Sequence, residues 1–164
     1  MAKTAFKGTP VETTGELPAV GSKAKPVELV ALDLSTKSLG DFAGKKKVLT
    51  INPSYDTGVC QAAARALNER ISGRGDAVVL MISADLPFAQ KRFCEAAGLS
   101  NVIPLSSFRS SFARDYGVEL AAGPLKGLTG RAIIVLDESD TVKHVELVAE
   151  ITNEPNYDAA LAAL

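Results

Sequence analysis

The clearest feature of the chain is a set of short apolar runs bounded by glycine, proline and charged residues. Ala77-Val78-Val79-Leu80-Met81-Ile82-Ser83 is continuous, the pattern of a strand covered on both faces in a parallel sheet. Val48-Leu49-Thr50-Ile51 is a second buried strand, and the Lys45-Lys46-Lys47 run before it reads as a solvated lead-in. Val27 to Asp33 alternates and predicts a half-buried strand. Arg131 to Asp137 and Val142 to Val148, joined by Glu138-Ser139-Asp140-Thr141, predict an antiparallel hairpin. A smaller hairpin is expected from Thr4 to Lys7 and Val11 to Thr14, joined through Gly8-Thr9-Pro10. Val102 to Ser106 carries Pro104, which places that strand at an edge or ends it there. Between these runs lie helical stretches. Gln61 to Arg70 has strong helix propensity and no breaker, and the helix closes near Ser72-Gly73-Arg74-Gly75. Phe88 to Ala97 follows Asp85 as N-cap and Pro87 near the first helical position, and stops at Gly98. Ser110 to Tyr116 is a short helix closed by Gly117, and Asn156 to Leu164 a final one. Gly15 to Pro26, Ser38 to Gly44 and Gly123 to Gly130 are linkers or turns.

The order βαβα followed by ββα predicts an α/β architecture of the thioredoxin-like kind. It has a central mixed sheet with helices on both faces and an N-terminal β-hairpin, in one domain over residues 1–164. Composition adds limits. The 164 residues suffice for a core that needs no disulfide, and 18 Lys+Arg against 19 Asp+Glu leave no broad basic surface for nucleic acid or anionic lipid. No apolar segment approaches a membrane span, and Met1 to Gly8 has no apolar leader core. A soluble, cytoplasmic protein without nucleic-acid or membrane partners is the expectation. In such a reducing compartment, a pair of cysteines points to catalysis or redox sensing rather than to a structural scaffold.

The chemistry centres on Pro53-Ser54-Tyr55-Asp56-Thr57-Gly58-Val59-Cys60, between a buried strand and a helix. This spacing puts Cys60 in the first helical turn. There the free backbone N–H groups and the positive end of the helix dipole stabilise a thiolate over a thiol. Cys60 is therefore read as a redox nucleophile. Cys94, late in an ordinary amphipathic helix, reads on its own as a packing residue. Thr57 on its own is a turn or N-cap hydroxyl, and Arg131 a surface charge at the start of a strand.

Other motifs fail on their context. Asp56-Thr57-Gly58 matches the aspartic protease triad, but the paired carboxylate is missing from the chain and a helix follows. Gly40-Asp41-Phe42-Ala43-Gly44-Lys45-Lys46 is one residue short of a P-loop, lacks its Ser/Thr and precedes a strand. Cys60-Gln61-Ala62-Ala63 lacks the second cysteine of a disulfide exchanger. Two cysteines and His144, which reads as a surface or packing residue, fall short of a zinc site. No cofactor or metal is expected.

Pro53-x-x-x-Thr57-x-x-Cys60 resembles the active-site signature of the peroxiredoxin family, and the full Pro53–Cys60 stretch is similar to its bacterial thiol peroxidase branch. Ser83-Ala84-Asp85-Leu86-Pro87-Phe88-Ala89-Gln90, Arg92-Phe93-Cys94, Gly123-Pro124-Leu125-Lys126-Gly127-Leu128 and the Arg131 strand extend the likeness over nearly the whole chain. The resemblance implies an atypical two-cysteine peroxidase acting on hydrogen peroxide and organic hydroperoxides. It implies Cys60 as peroxidatic and Cys94 as resolving cysteine, joined in an intramolecular Cys60–Cys94 disulfide that thioredoxin reduces, and a homodimer. Thr57 is implied to hydrogen-bond thiolate and peroxide, Pro53 to shield the pocket, and Arg131 to be the cation beside the sulfur. Both cysteines lie in predicted helices, and a disulfide brings Cα atoms to about 5.5–6 Å, so local unwinding during turnover is expected. Two positions depart from the family pattern. Asn52 stands where many members carry an aromatic residue, and Tyr55 where many are aliphatic. Both bear on the polarity of the pocket, and so on peroxide preference, without touching the reacting groups. The alternative from another class is a non-enzymatic thiol-disulfide redox sensor or binding module.

Overall fold

The apolar runs pair into one mixed sheet in the computed structural model, which describes residues 1–164. Nine strands form: β1 (Lys3–Phe6), β2 (Thr9–Glu12), β3 (Leu29–Val30), β4 (Thr36–Lys37), β5 (Lys46–Ile51), β6 (Ala77–Ser83), β7 (Val102–Ser106), β8 (Ala132–Leu136) and β9 (Val142–Leu147). Helices are α1 (Gly58–Arg70), α2 (Pro87–Ala97), α3 (Phe112–Asp115) and α4 (Tyr157–Ala162), with a 3-10 turn at Leu39–Phe42. β1 and β2 form a separate hairpin, and the other seven strands follow the order β4-β3-β7-β6-β5-β8-β9. β5, β6 and β7 are mutually parallel, whereas β8, β9, β3 and β4 join antiparallel. This is the thioredoxin-like arrangement expected from the element order.

Two apolar clusters divide the side chains of the central strands by their alternation. Leu49, Ile51, Leu80, Ile82, Ile134 and Leu136 face the cluster that holds Phe112 of α3 and Tyr116. Val48, Val79, Met81, Ile133 and Val135 face the other, with Cys60, Ala64 and Leu67 of α1, Phe93 and Cys94 of α2 and Ala160 of α4. Helices thus cover both faces, three of them on the side that holds both cysteines. None of these helices is long and apolar enough to cross a membrane.

Several local expectations need correction. The Val27–Asp33 strand contracts to β3, because the chain turns at Ala31–Ser35, where the Ala31 N–H donates to the Ser35 carbonyl at 2.9 Å, and returns as β4. The hairpin turn falls at Lys7-Gly8, both at positive φ, with Phe6 opposite Thr9; this two-residue geometry suits the twist of the flanking strands. Lys47 is not solvated. Alternation along β5 puts it on the side of Leu49 and Ile51, fully buried, and its Nζ pairs with Asp140 at 2.6 Å and the Lys45 carbonyl at 3.0 Å. β7 neither ends at Pro104 nor lies at the outer edge. It meets β3 only at Ser106, so most of its length has one open side, which accommodates a residue without an N–H. The α2 N-cap is Leu86, with no side-chain cap, because the Asp85 carboxylate is engaged elsewhere.

Candidate active site

β5 ends in the middle of the sheet, and the Asn52–Thr57 segment carries the chain from it into α1. Thr57 is the N-cap of α1: its hydroxyl accepts the Cys60 N–H at 3.4 Å and donates to the Ser54 carbonyl at 3.1 Å. Cys60 therefore occupies the first turn, as its spacing predicted. Ala63, Ala64 and Leu67 continue the buried stripe it starts, at the three-, four- and seven-residue spacing of one helix face.

Asp85 fixes the outer part of this segment. Its carboxylate accepts the Tyr55 N–H at 2.7 Å, the Ser54 hydroxyl at 2.8 Å and the Ser83 hydroxyl at 2.9 Å. The residue read as a helix cap thus clamps the cysteine loop to the end of β6. Buried Gln90 of α2 reinforces it by donating to Ser83 Oγ at 3.0 Å. Pro53 is buried within the clamped segment.

Arg131, which immediately precedes β8, is 2% exposed, so it is no surface charge. The antiparallel pairing of β8 with β5 sets Ala132 opposite Ile51 and brings the guanidinium to the start of the Cys60 loop. Nη1 donates to Cys60 Sγ at 3.1 Å and to Asn52 Oδ1 at 2.6 Å, and Nε donates to the Ile151 carbonyl at 2.9 Å. Nη2 has no protein partner. Arg131 forms no salt bridge, so the sulfur is the one potential anion bonded to this buried cation.

The geometry brings Cys60, Thr57 and Arg131 together, and Cys94 joins the same apolar cluster from α2 without bonding to Cys60. Burial, and to a lesser degree the neighbouring Glu95 carboxylate, pushes the Cys94 thiol up to about 11. Asn52 does touch the reacting groups, contrary to the expectation from sequence. Its carbonyl holds Arg131, and its amide donates to Tyr55 Oη at 2.7 Å and Thr50 Oγ1 at 3.2 Å. The Tyr55 ring stacks on Phe93, centroids 5.6 Å apart, and its hydroxyl resists ionisation because it is buried. The sequence signal for both contacts was the polar departure at position 52, three residues before a second polar departure.

The site comprises a cysteine at a helix start, a guanidinium on its sulfur with donors to spare, and a second cysteine held as a neutral thiol. That arrangement suits attack by sulfur on a small polar electrophile. Comparison with known proteins agrees. The Redoxin family model matches residues 19–161. The chain is 51% identical to the thiol peroxidase of Corynebacterium glutamicum, over 100% of this chain and 99% of that protein. It is 52% identical to the thiol peroxidase of Mycobacterium tuberculosis, with the same coverage. The crystal structure of a peroxiredoxin-like protein from Aquifex aeolicus superposes with a TM-score of 0.94 at 39% identity, over 99% of this chain and 95% of that one. Matched in sequence and in fold along nearly its whole length, the chain belongs to the Redoxin family, as a peroxiredoxin of the thiol peroxidase branch.

Proposed function

We propose that this peroxidase reduces hydrogen peroxide and organic hydroperoxides at Cys60, with Cys94 as the resolving thiol and thioredoxin as the reductant. The observation that carries the reading is the Arg131 guanidinium, 3.1 Å from Cys60 Sγ at the start of α1. The thiolate attacks one oxygen of ROOH; the O–O bond breaks, ROH leaves after protonation, and sulfur keeps the other oxygen as a sulfenic acid. Cys94 then displaces that oxygen as water and forms the disulfide, and an external dithiol returns both thiols while becoming a disulfide itself.

Ionisation alone supplies little of the rate. An ordinary thiol is a few per cent thiolate at pH 7, so full ionisation is worth roughly thirtyfold, or about 2 kcal/mol. Larger acceleration needs donors aimed at the oxygen that gains charge as the O–O bond breaks. The unpartnered Arg131 Nη2 is one such donor. Thr57 supplies another by turning the proton it now gives to Ser54. Burial of both cysteines in α1 and α2 supports local unwinding between the two chemical steps, since a raised Cys94 is a poor nucleophile until it is exposed. Thioredoxin, a homodimeric state and a cytoplasmic location enter this reading from family resemblance.

The test is the intact mass of reduced protein seconds after one equivalent of hydrogen peroxide, in wild type and Cys94→Ser. Loss of two hydrogens in the wild type and gain of one oxygen in the variant are expected. Unchanged masses in both would leave an inert thiol pair and end the peroxidase assignment to Cys60.

A further inference from the structure

Asn52 is 1% exposed, and hydrogen bonding fixes which way its amide faces. Arginine only donates, so the atom that meets Arg131 Nη1 at 2.6 Å is the Asn52 carbonyl oxygen. The Asn52 amide nitrogen must then point the other way, where Tyr55 Oη lies at 2.7 Å and Thr50 Oγ1 at 3.2 Å. Tyr55 Oη accepts from Asn52 and passes its own proton toward the Thr50 carbonyl at 3.4 Å. Each group in the series Arg131–Asn52–Tyr55 therefore has its donor and acceptor directions set by the next, inside an apolar cluster where an unpaired member is costly. The same Nη1 that Asn52 holds also meets Cys60 Sγ. With no carboxylate paired to Arg131, the Asn52 and Ile151 carbonyls are what aim the guanidinium.

We infer that Asn52 is a positioning residue for the peroxide reaction, holding Arg131 on the Cys60 sulfur, and that Tyr55 locks Asn52 in the orientation this needs. A neutral acceptor fits this role because it directs an N–H without cancelling the positive charge that the thiolate and the departing oxygen use. The inference rests on Cys60 being the attacking sulfur and Arg131 its cation.

The experiment compares two second-order rates on the reduced full-length protein at one pH, namely oxidation by hydrogen peroxide and alkylation by iodoacetamide. Both need the Cys60 sulfur, and only the first needs donors aimed at an O–O bond. Asn52→Leu is expected to slow oxidation roughly ten- to a hundredfold, the range for a misplaced catalytic group, and alkylation by much less. Placed in an Arg131→Met background, the same substitution is expected to change oxidation less than about twofold, because its effect runs through the missing guanidinium. Tyr55→Phe keeps the ring on Phe93 and removes only the oxygen, so it is expected to fold and to lower the oxidation-to-alkylation ratio about threefold or more. An equal loss in both backgrounds, a parallel fall of the two rates in Asn52→Leu, or an unchanged ratio in Tyr55→Phe would overturn the inference. Wild-type oxidation no faster than that of a free thiol would instead remove the Cys60 assignment beneath it.

Discussion

Cys94 has the reactivity of a stored thiol. Burial pushes it up to about 11, against about 8.5 for an exposed cysteine, so at neutral pH the folded protein holds it almost wholly protonated. The sign follows from linkage. The unfolded chain releases this proton from about pH 8.5 and the folded one only near 11, so the contribution to stability is complete below pH 8.5 and declines between those values. In a Cys60→Ser variant, alkylation of Cys94 should climb about tenfold per pH unit and level off near 11, whereas in urea it should level off near 8.5. A plateau near 8.5 in native buffer would show that Cys94 reacts only from an opened α2. Cys60 and Thr57 were legible in the sequence because their roles are local: a cap, a first turn, a helix face. Arg131 was not legible from its own surroundings and stood out only by family resemblance. Its burial depends on the antiparallel β5–β8 pairing, made across some eighty residues of chain, which a local pattern does not contain.

Lys47 and Asp140 show the same limit for whole elements. Three consecutive lysines look solvated, yet a strand sends neighbours to opposite faces, and the face shared with Leu49 and Ile51 is buried. Such a cation is tolerated only when paired, which ties β5 to the β8–β9 turn, where Asp140 has φ 64°. Asparagine tolerates that left-handed conformation, so Asp140→Asn removes charge with little backbone penalty. It is expected to destabilise the fold by about 1–3 kcal/mol, and Lys47→Met, alone or combined with it, by less, since no buried ammonium is then left unpaired. Urea unfolding of the three variants measures both values, and an order reversed between Asp140→Asn and the double variant would refute the account. Asp85 was misread for a related reason. A carboxylate just before a helix matches the cap pattern, but Ser54 and the Tyr55 amide approach it from another strand end.

Across the molecule, the N-terminal hairpin is latched to the segment after β9. The Ile151 N–H donates to the Ala5 carbonyl, the Thr4 hydroxyl to the Val148 carbonyl, and Glu150 accepts the N–H groups of Lys7 and Gly8 at the hairpin turn. These bonds, led by that of Gly8 and joined by those of Thr152 and Lys7, hold the Glu150 carboxyl down at about 2. The ionised latch is complete above the ordinary glutamate range and is lost as pH falls toward 2. The Gly8 amide proton should therefore titrate by NMR with a midpoint near 2 and not near 4.3. The segment so anchored carries Ile151, whose carbonyl holds Arg131 Nε, so the hairpin supports the site from a distance. The sheet order was accessible from the strand and helix sequence, because parallel crossovers and hairpins leave few arrangements open. The two-residue strands β3 and β4 were not, since they owe their form to a neighbouring strand and little to their own pattern. The lack of a carboxylate beside Arg131 has one more consequence, for redox balance. In the proposed cycle the attacking Cys60 thiolate is the one counter-charge to this buried guanidinium, and the disulfide that follows would leave it without one, a costly state in an apolar setting. Stabilising the dithiol form over the disulfide raises the reduction potential. On that proposed cycle, an oxidised enzyme is expected to give up a Cys60–Cys94 disulfide readily to a dithiol donor, and Arg131→Met to lower that potential.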